Sequence, residues 1–321
     1  MLTRRSMMLA SIAAGVMINE RAALAKAAQP TTPVNFDIPA GACDCHTHIH
    51  PDPANFPFFS GRVYTPELAS PEEMTALHKA LNMERVVIVT PSVYGTDNSP
   101  TLFGMKARGA TARGVAVIDD KTSEADLDAM GKAGIRGVRL NLATGGVNDP
   151  NIARPRFTNA VERIKARGWH VQIYTNMPMI TAVKDVLMTS PVPVVFDHFG
   201  GAEAAKGLEQ PGFSDLVDLV NAGKAYVKIS GAYRASNAGP DYAECTPLAK
   251  ALIAANADRI IWGTDWPHPD SVTPAGKQIT DVTPLFQIDD GRLLNQLAVW
   301  APDAAVRKKI LVDNPAQLYG F

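Results

Sequence analysis

One rhythm constrains this chain more than any other feature: a short apolar run ends in polar residues and gives way to a stretch with helical spacing, again and again. The runs are Ala42–His48, Arg85–Ser92, Gly114–Ile118, Gly134–Leu142, His170–Asn176, Val192–His198, Ala225–Ser230 and Arg259–Asp265. Helical spacing covers Pro71–Leu81, Ser123–Lys132, Pro155–Ala166, Met179–Met188, Phe213–Asn221 and Tyr242–Ala255, and is weak between the second and third runs. Strands that are apolar throughout are buried on both faces, as in parallel sheets. Eight of them alternating with helices predict a slightly distorted (β/α)8 barrel, a TIM barrel, spanning residues 28–321 as one domain. Gly291–Phe321 would form a helical tail capping it. The competing doubly wound sheet lacks support, because no Gly-x-Gly-x-x-Gly follows the first run. With 46% hydrophobic residues there is material for a large core, and a net charge of -1 gives no reason to expect nucleic acid as a partner.

The first 27 residues read differently. Arg4-Arg5 precede a mostly apolar stretch from Ser6 to Ile18, and Ala25-Lys26-Ala27 offers a small-x-small cleavage site. This predicts a twin-arginine-like export signal over residues 1–27, a mature chain beginning near Ala28, and a periplasmic or exported location. The apolar stretch is too short to span a bilayer, and no other segment is a candidate. Cys43, Cys45 and Cys245 are an odd set that cannot close a disulfide framework, so buried free thiols are expected. No oligomeric state can be read from the residues.

In a barrel of this kind the chemistry sits at the C-terminal ends of the strands. Those ends carry His46-x-His48, Ser92, Arg139 with Asn141, Tyr174 with Asn176, His198, Ser230 with Arg234 just beyond, and Asp265. His46 and His48 lie two apart and share a face of their strand, where they could hold a metal or a substrate oxygen. His78 and His170 sit away from the mouth and receive no role. His50 and His268 fall near it, as supporting groups or substrate contacts.

Asp44-Cys-His-Thr-His48, Phe196-Asp-His-Phe-Gly200, Gly263-Thr-Asp-Trp-Pro-His268 and Asn314-Pro-Ala-Gln-Leu-Tyr-Gly-Phe321 together resemble the amidohydrolase superfamily from Gly41 to the C-terminus. Within it the chain is most similar to the branch of 2-pyrone-4,6-dicarboxylate lactonases, 4-sulfomuconolactone hydrolases and D-galactarolactone isomerases. Two-metal members place a bridging lysine or glutamate at the end of strand four and a histidine at the end of strand five, where this chain has Arg139 and Tyr174. Arginine cannot ligate a metal, so the reading favours no cofactor, with a single zinc on His46, His48 and Asp265 as the alternative.

The chemistry that follows is water attack on a lactone carbonyl. Asp265 serves as general base, and His198, His46 and His48 polarise the carbonyl and its oxyanion. Arg139 and Arg234 have no internal carboxylate in view other than Asp265, which predicts a bidentate grip on a substrate carboxylate and a small anionic lactone as substrate. The resemblance adds Tyr64, Ser92 and Asn98 as hydrogen-bonding groups, with Tyr174 lining the pocket. A second basic residue expected after strand four is missing from Asn141-Leu-Ala-Thr-Gly-Gly-Val-Asn-Asp149, which points to a less charged lactone than the pyrone dicarboxylate. A lactone isomerase using the same base, a metal-dependent decarboxylase and an exported sugar-acid binding protein are the rival readings.

Overall fold

The computed structural model describes residues 27–321. The export-signal reading therefore lies outside the described residues, apart from Ala27. Eight parallel strands form the sheet: β1 Cys43–Thr47, β2 Arg85–Val89, β3 Ala112–Ala116, β4 Ile135–Asn141, β5 His170–Tyr174, β6 Val194–Phe196, β7 Ala225–Ser230 and β8 Ile260–Gly263. Each pairs with its sequence neighbour, so the order around the barrel is the order along the chain. The helices that return between them are Pro71–Leu81, Ser99–Arg108, Glu124–Ala133, Pro150–Ile164, Met177–Met188, Phe213–Asn221 and Thr246–Ala255. The tail consists of Asp290–Trp300 and three shorter helical pieces ending at Tyr319.

Local chemistry sets the helix starts. Ser70 with Glu73 and Ser123 with Asp126 form reciprocal capping boxes. The fourth helix begins at Pro150, five residues ahead of the predicted Pro155. The Asp149 side chain accepts from Asn151 N and Pro150 fits the first turn, so Pro155 is carried inside. The weakly patterned second helix, Ser99–Arg108, is held by close approach rather than by an apolar stripe. A Cβ at Gly104 would lie 2.7 Å from Ile49 Cγ1, so no larger side chain fits there.

The seam between β1 and β8 has no continuous ladder. It is closed by Asp265 N donating to His46 O (2.8 Å) and His48 N donating to Trp266 O (2.8 Å). Beside these bonds the buried Asp44 carboxylate accepts from His46 N (3.1 Å), Thr264 N (3.0 Å) and the Thr264 hydroxyl (2.6 Å). Its second oxygen also meets His78 Nε2 at 3.1 Å. His78, given no role above, is thus part of the closure.

Strand β1 has a register shift between Asp44 and Thr47. Cys43 and Cys45 pack with Val87, Val89, Val115, Val195, Ile261 and Tyr319 into an apolar floor, and both thiols are free and buried. His46 and His48, on the same strand, turn toward the mouth. A larger apolar layer joins the strands to the helices. Over the mouth, Thr65–Pro66 pairs with Val282–Thr283, which ties the long loop after β1 to the long loop after β8 and brings Tyr64 inward.

Candidate active site

The C-terminal mouth is a narrow space of about 270 Å³, part of it open to solvent, lined by His48, Tyr64, Ser92, Arg139, Tyr174, His198, Arg234 and Asp265 among others. His46 lies directly beneath, its Nε2 3.3 Å from His48 Nε2 and 3.5 Å from Asp265 Oδ1. The structure thus gathers nine of the ten residues that the sequence reading assigned. Asn98 stands apart. Its amide oxygen accepts from the Thr90 hydroxyl and Val117 N, and its amide nitrogen donates to Thr96 O and Val117 O, so its polar capacity is spent inside the fold.

Asp265 is fully buried, with φ at +68° in the left-handed region. His198 shares that conformation at +49°, and such backbone at non-glycine residues gathers where a site aims its side chains. Asp265 Oδ2 accepts from the Tyr233 hydroxyl (2.7 Å) and Arg234 Nε (2.5 Å). Among the described residues its Oδ1 has no hydrogen-bond partner, and it faces the Nε2 atoms of His46, His48 and His198 at 3.5, 3.6 and 3.7 Å. Burial alone would raise this carboxyl, but Arg234 and the neighbouring imidazoles hold it well below the usual carboxylate range. Burial also lowers the imidazoles, His46 strongly and His198 to about 4, which keeps the cluster neutral near pH 7.

The two arginines differ from expectation. Arg234 is engaged with Asp265 and with Pro269 O (2.9 Å), and Arg139 meets a carboxylate the sequence reading had passed over. Asp197 Oδ2 lies 3.3 Å from Arg139 Nε and 3.2 Å from its terminal nitrogen. Burial works to raise Asp197, yet His46, Lys228 and Arg139 keep it well below its usual range. Asp197 and Lys228 could be noticed in sequence only as charged residues inside otherwise apolar runs. Each arginine keeps one terminal nitrogen, Nη1, without a partner among the described residues, so the full bidentate grip is reduced to a shared one. His50 and His268 do not line the mouth. His268 instead pairs with buried Asp290 at 2.9 Å, and burial pushes that acid up to about 6.

Donor chemistry also permits an ion. His46, His48 and Asp265 place ligand atoms 3.3–3.6 Å apart, roughly the edges of a tetrahedron around zinc bonded at about 2.0–2.2 Å, and Asp265 Oδ1 is otherwise unpartnered. His46, Asp197 and His198 form a second close set.

A parallel eight-stranded barrel with paired histidines on β1, another after β6 and a carboxylate after β8, all converging on one mouth, defines an enzyme barrel built for carbonyl chemistry. The chain belongs to the amidohydrolase family, whose model matches residues 43–321. It is 34% identical to a 4-sulfomuconolactone hydrolase of Rhizobium radiobacter, covering 90% of this chain and 93% of the relative. Identity is also 34% to a 2-pyrone-4,6-dicarboxylate hydrolase of Comamonas testosteroni, over 91% and 94% of the two chains. A solved structure from Agrobacterium tumefaciens is 29% identical with a TM-score of 0.75, covering 90% of this chain and 98% of that one. The lactone-processing branch suggested by the motifs is the branch to which these two hydrolases belong. No described helix is long and apolar enough to cross a membrane.

Proposed function

We propose that the protein hydrolyses a small lactone bearing a carboxylate. The observation that carries this reading is the Asp265 Oδ1 atom, a buried carboxylate oxygen without a hydrogen-bond partner among the described residues, set among three neutral imidazoles and flanked by two arginines. A substrate carboxylate engages the remaining terminal nitrogen, Nη1, of Arg234 and of Arg139. That draws Arg234 partly away from Asp265 and raises the basicity of a carboxylate otherwise held too low to accept a proton readily. Water attacks the lactone carbonyl carbon and its proton passes to Asp265 Oδ1. The oxyanion is met by the Nε2–H of His198, whose Nδ1 accepts from the Ser230 hydroxyl, and by Arg139. Collapse breaks the ring C–O bond, and the leaving oxygen recovers the proton from Asp265, giving a hydroxy acid with one new carboxylate.

A single zinc ion, where bound, would be held by His46, His48 and Asp265 and would supply Lewis acidity toward the carbonyl and its water. We favour the metal-free reading, because Arg139, Arg234 and Lys228 already surround these ligands with positive charge. The twin-arginine-like N-terminus supports action outside the cytoplasm. The test is acid release from a panel of carboxylated lactones, with metal content measured before and after chelation. Activity that survives chelation and falls about 10²–10⁴-fold in Asp265→Asn supports the mechanism. Rearranged lactone without acid release would favour the isomerase, and loss of activity with zinc would move Asp265 from base to ligand.

A further inference from the structure

Beneath the imidazoles lies a fully buried lysine that the proposed chemistry leaves unused. Lys228 stands on β7 with its ammonium nitrogen 2.7 Å from Gln172 Oε1, 3.2 Å from His46 Nδ1 and 3.4 Å from Asp197 Oδ1. An ammonium has three hydrogens and no lone pair. Gln172 Oε1 and His46 Nδ1 accept two of them, provided that His46 Nδ1 is a bare lone pair, while the Asp197 carboxylate lies alongside as the counter-charge. Asp197 Oδ1 lies 3.2 Å from that same nitrogen and requires the opposite, a hydrogen on Nδ1. Only one of these demands can be met. Asp197 Oδ1 makes no hydrogen bond of good geometry, whereas the contact from Lys228 to His46 is one.

We propose that Lys228 is a positioning residue that fixes His46 as the tautomer carrying its hydrogen on Nε2, and thereby closes the His46, His48 and Asp265 set to a divalent ion. The neighbouring histidine agrees with this assignment. His48 Nδ1 lies 2.8 Å from Val89 O, an acceptor only, so His48 donates from Nδ1 and its Nε2 is a bare acceptor. A hydrogen on His46 Nε2 then points at that acceptor 3.3 Å away and lies beside Asp265 Oδ1. The opposite tautomer would set two lone pairs against each other. A metal needs the His46 Nε2 lone pair, and gaining it means moving the hydrogen to Nδ1, against Lys228. The Asp197 contact is what would support that second state, as carboxylates do behind metal-bound histidines. In this chain the lysine stands between the two.

The inference takes its cluster from the site proposed above and does not depend on the substrate, so its readouts need no turnover. Long-range proton–nitrogen NMR of histidine-labelled protein should show His46 protonated on Nε2 and bare on Nδ1. Zinc affinity, measured by competition with a chromophoric chelator, should rise at least tenfold in Lys228→Met, and His46→Asn added to that variant should abolish the gain. Lys228→Arg should retain the original tautomer and the weak zinc binding. A hydrogen on Nδ1 in the unaltered protein would overturn the proposal, as would equal zinc affinity with and without the lysine. Should Lys228→Met not fold, the NMR assignment alone decides. If no lactone is hydrolysed while these results hold, the substrate reading fails and the role of Lys228 stands.

Discussion

Replacing Asp44 with asparagine should loosen the barrel at its seam, and the hydrogen-bond pattern sets the size of the effect. Arg108 donates to His78 Nδ1 at 2.8 Å, and arginine cannot accept, so His78 must present its hydrogen from Nε2 to Asp44. Asparagine can still accept from the two backbone amides of His46 and Thr264 with its one oxygen. Its NH₂ group then faces the Thr264 hydroxyl, which can rotate to accept, and the His78 N–H, which cannot. One orphaned buried donor costs about 1–3 kcal/mol, and reducing three charge-assisted bonds to neutral ones adds about 0.5–1 kcal/mol each. The sum is about 2.5–6 kcal/mol, a drop in Tm of roughly 4–10 °C for a domain of this size. Urea unfolding followed by circular dichroism of the wild type and Asp44→Asn measures it. A loss below about 1 kcal/mol would refute the reasoning, since the seam would then be held by the two backbone bonds alone.

Two further outcomes follow from the same geometry. Asp290, buried against His268, is raised from an unfolded value near 4 to about 6, so its contribution to stability is present below about pH 4 and lost as pH rises through about 6. Asp290→Asn should therefore remove a fall of about 3 kcal/mol from the stability profile between pH 4 and 7, and unfolding midpoints that run parallel for both proteins would count against it. Gly231 has φ at +56°, and a Cβ there would sit 2.9 Å from His198 Nδ1 and 3.2 Å from Asp265 Oδ2. Gly231→Ala should lower kcat on an accepted lactone at least tenfold while the protein still folds, and an unchanged kcat would show that the cluster tolerates displacement.

Much of this molecule is written locally. The apolar runs and their polar ends determine the strands, their parallel order and the mouth where the chemistry gathers, because a strand buried on both faces carries most of its polar groups where it emerges. That rule located His46, His48, Arg139, His198, Arg234 and Asp265 from sequence. It missed the second helix, whose packing depends on a glycine touching Ile49 across the fold. It misplaced Asn98, whose residue type suits a binding loop equally well. Partnership was the part that only the tertiary structure decided. Asp197 and Lys228 look like isolated charges in apolar runs, and Asp44 looks like the start of a motif. Their roles depend on which strands close beside each other, for a buried charge is stable only with partners supplied from elsewhere in the chain. Residue type and spacing determine where a side chain emerges, and the closure of the ring determines which charges it meets there.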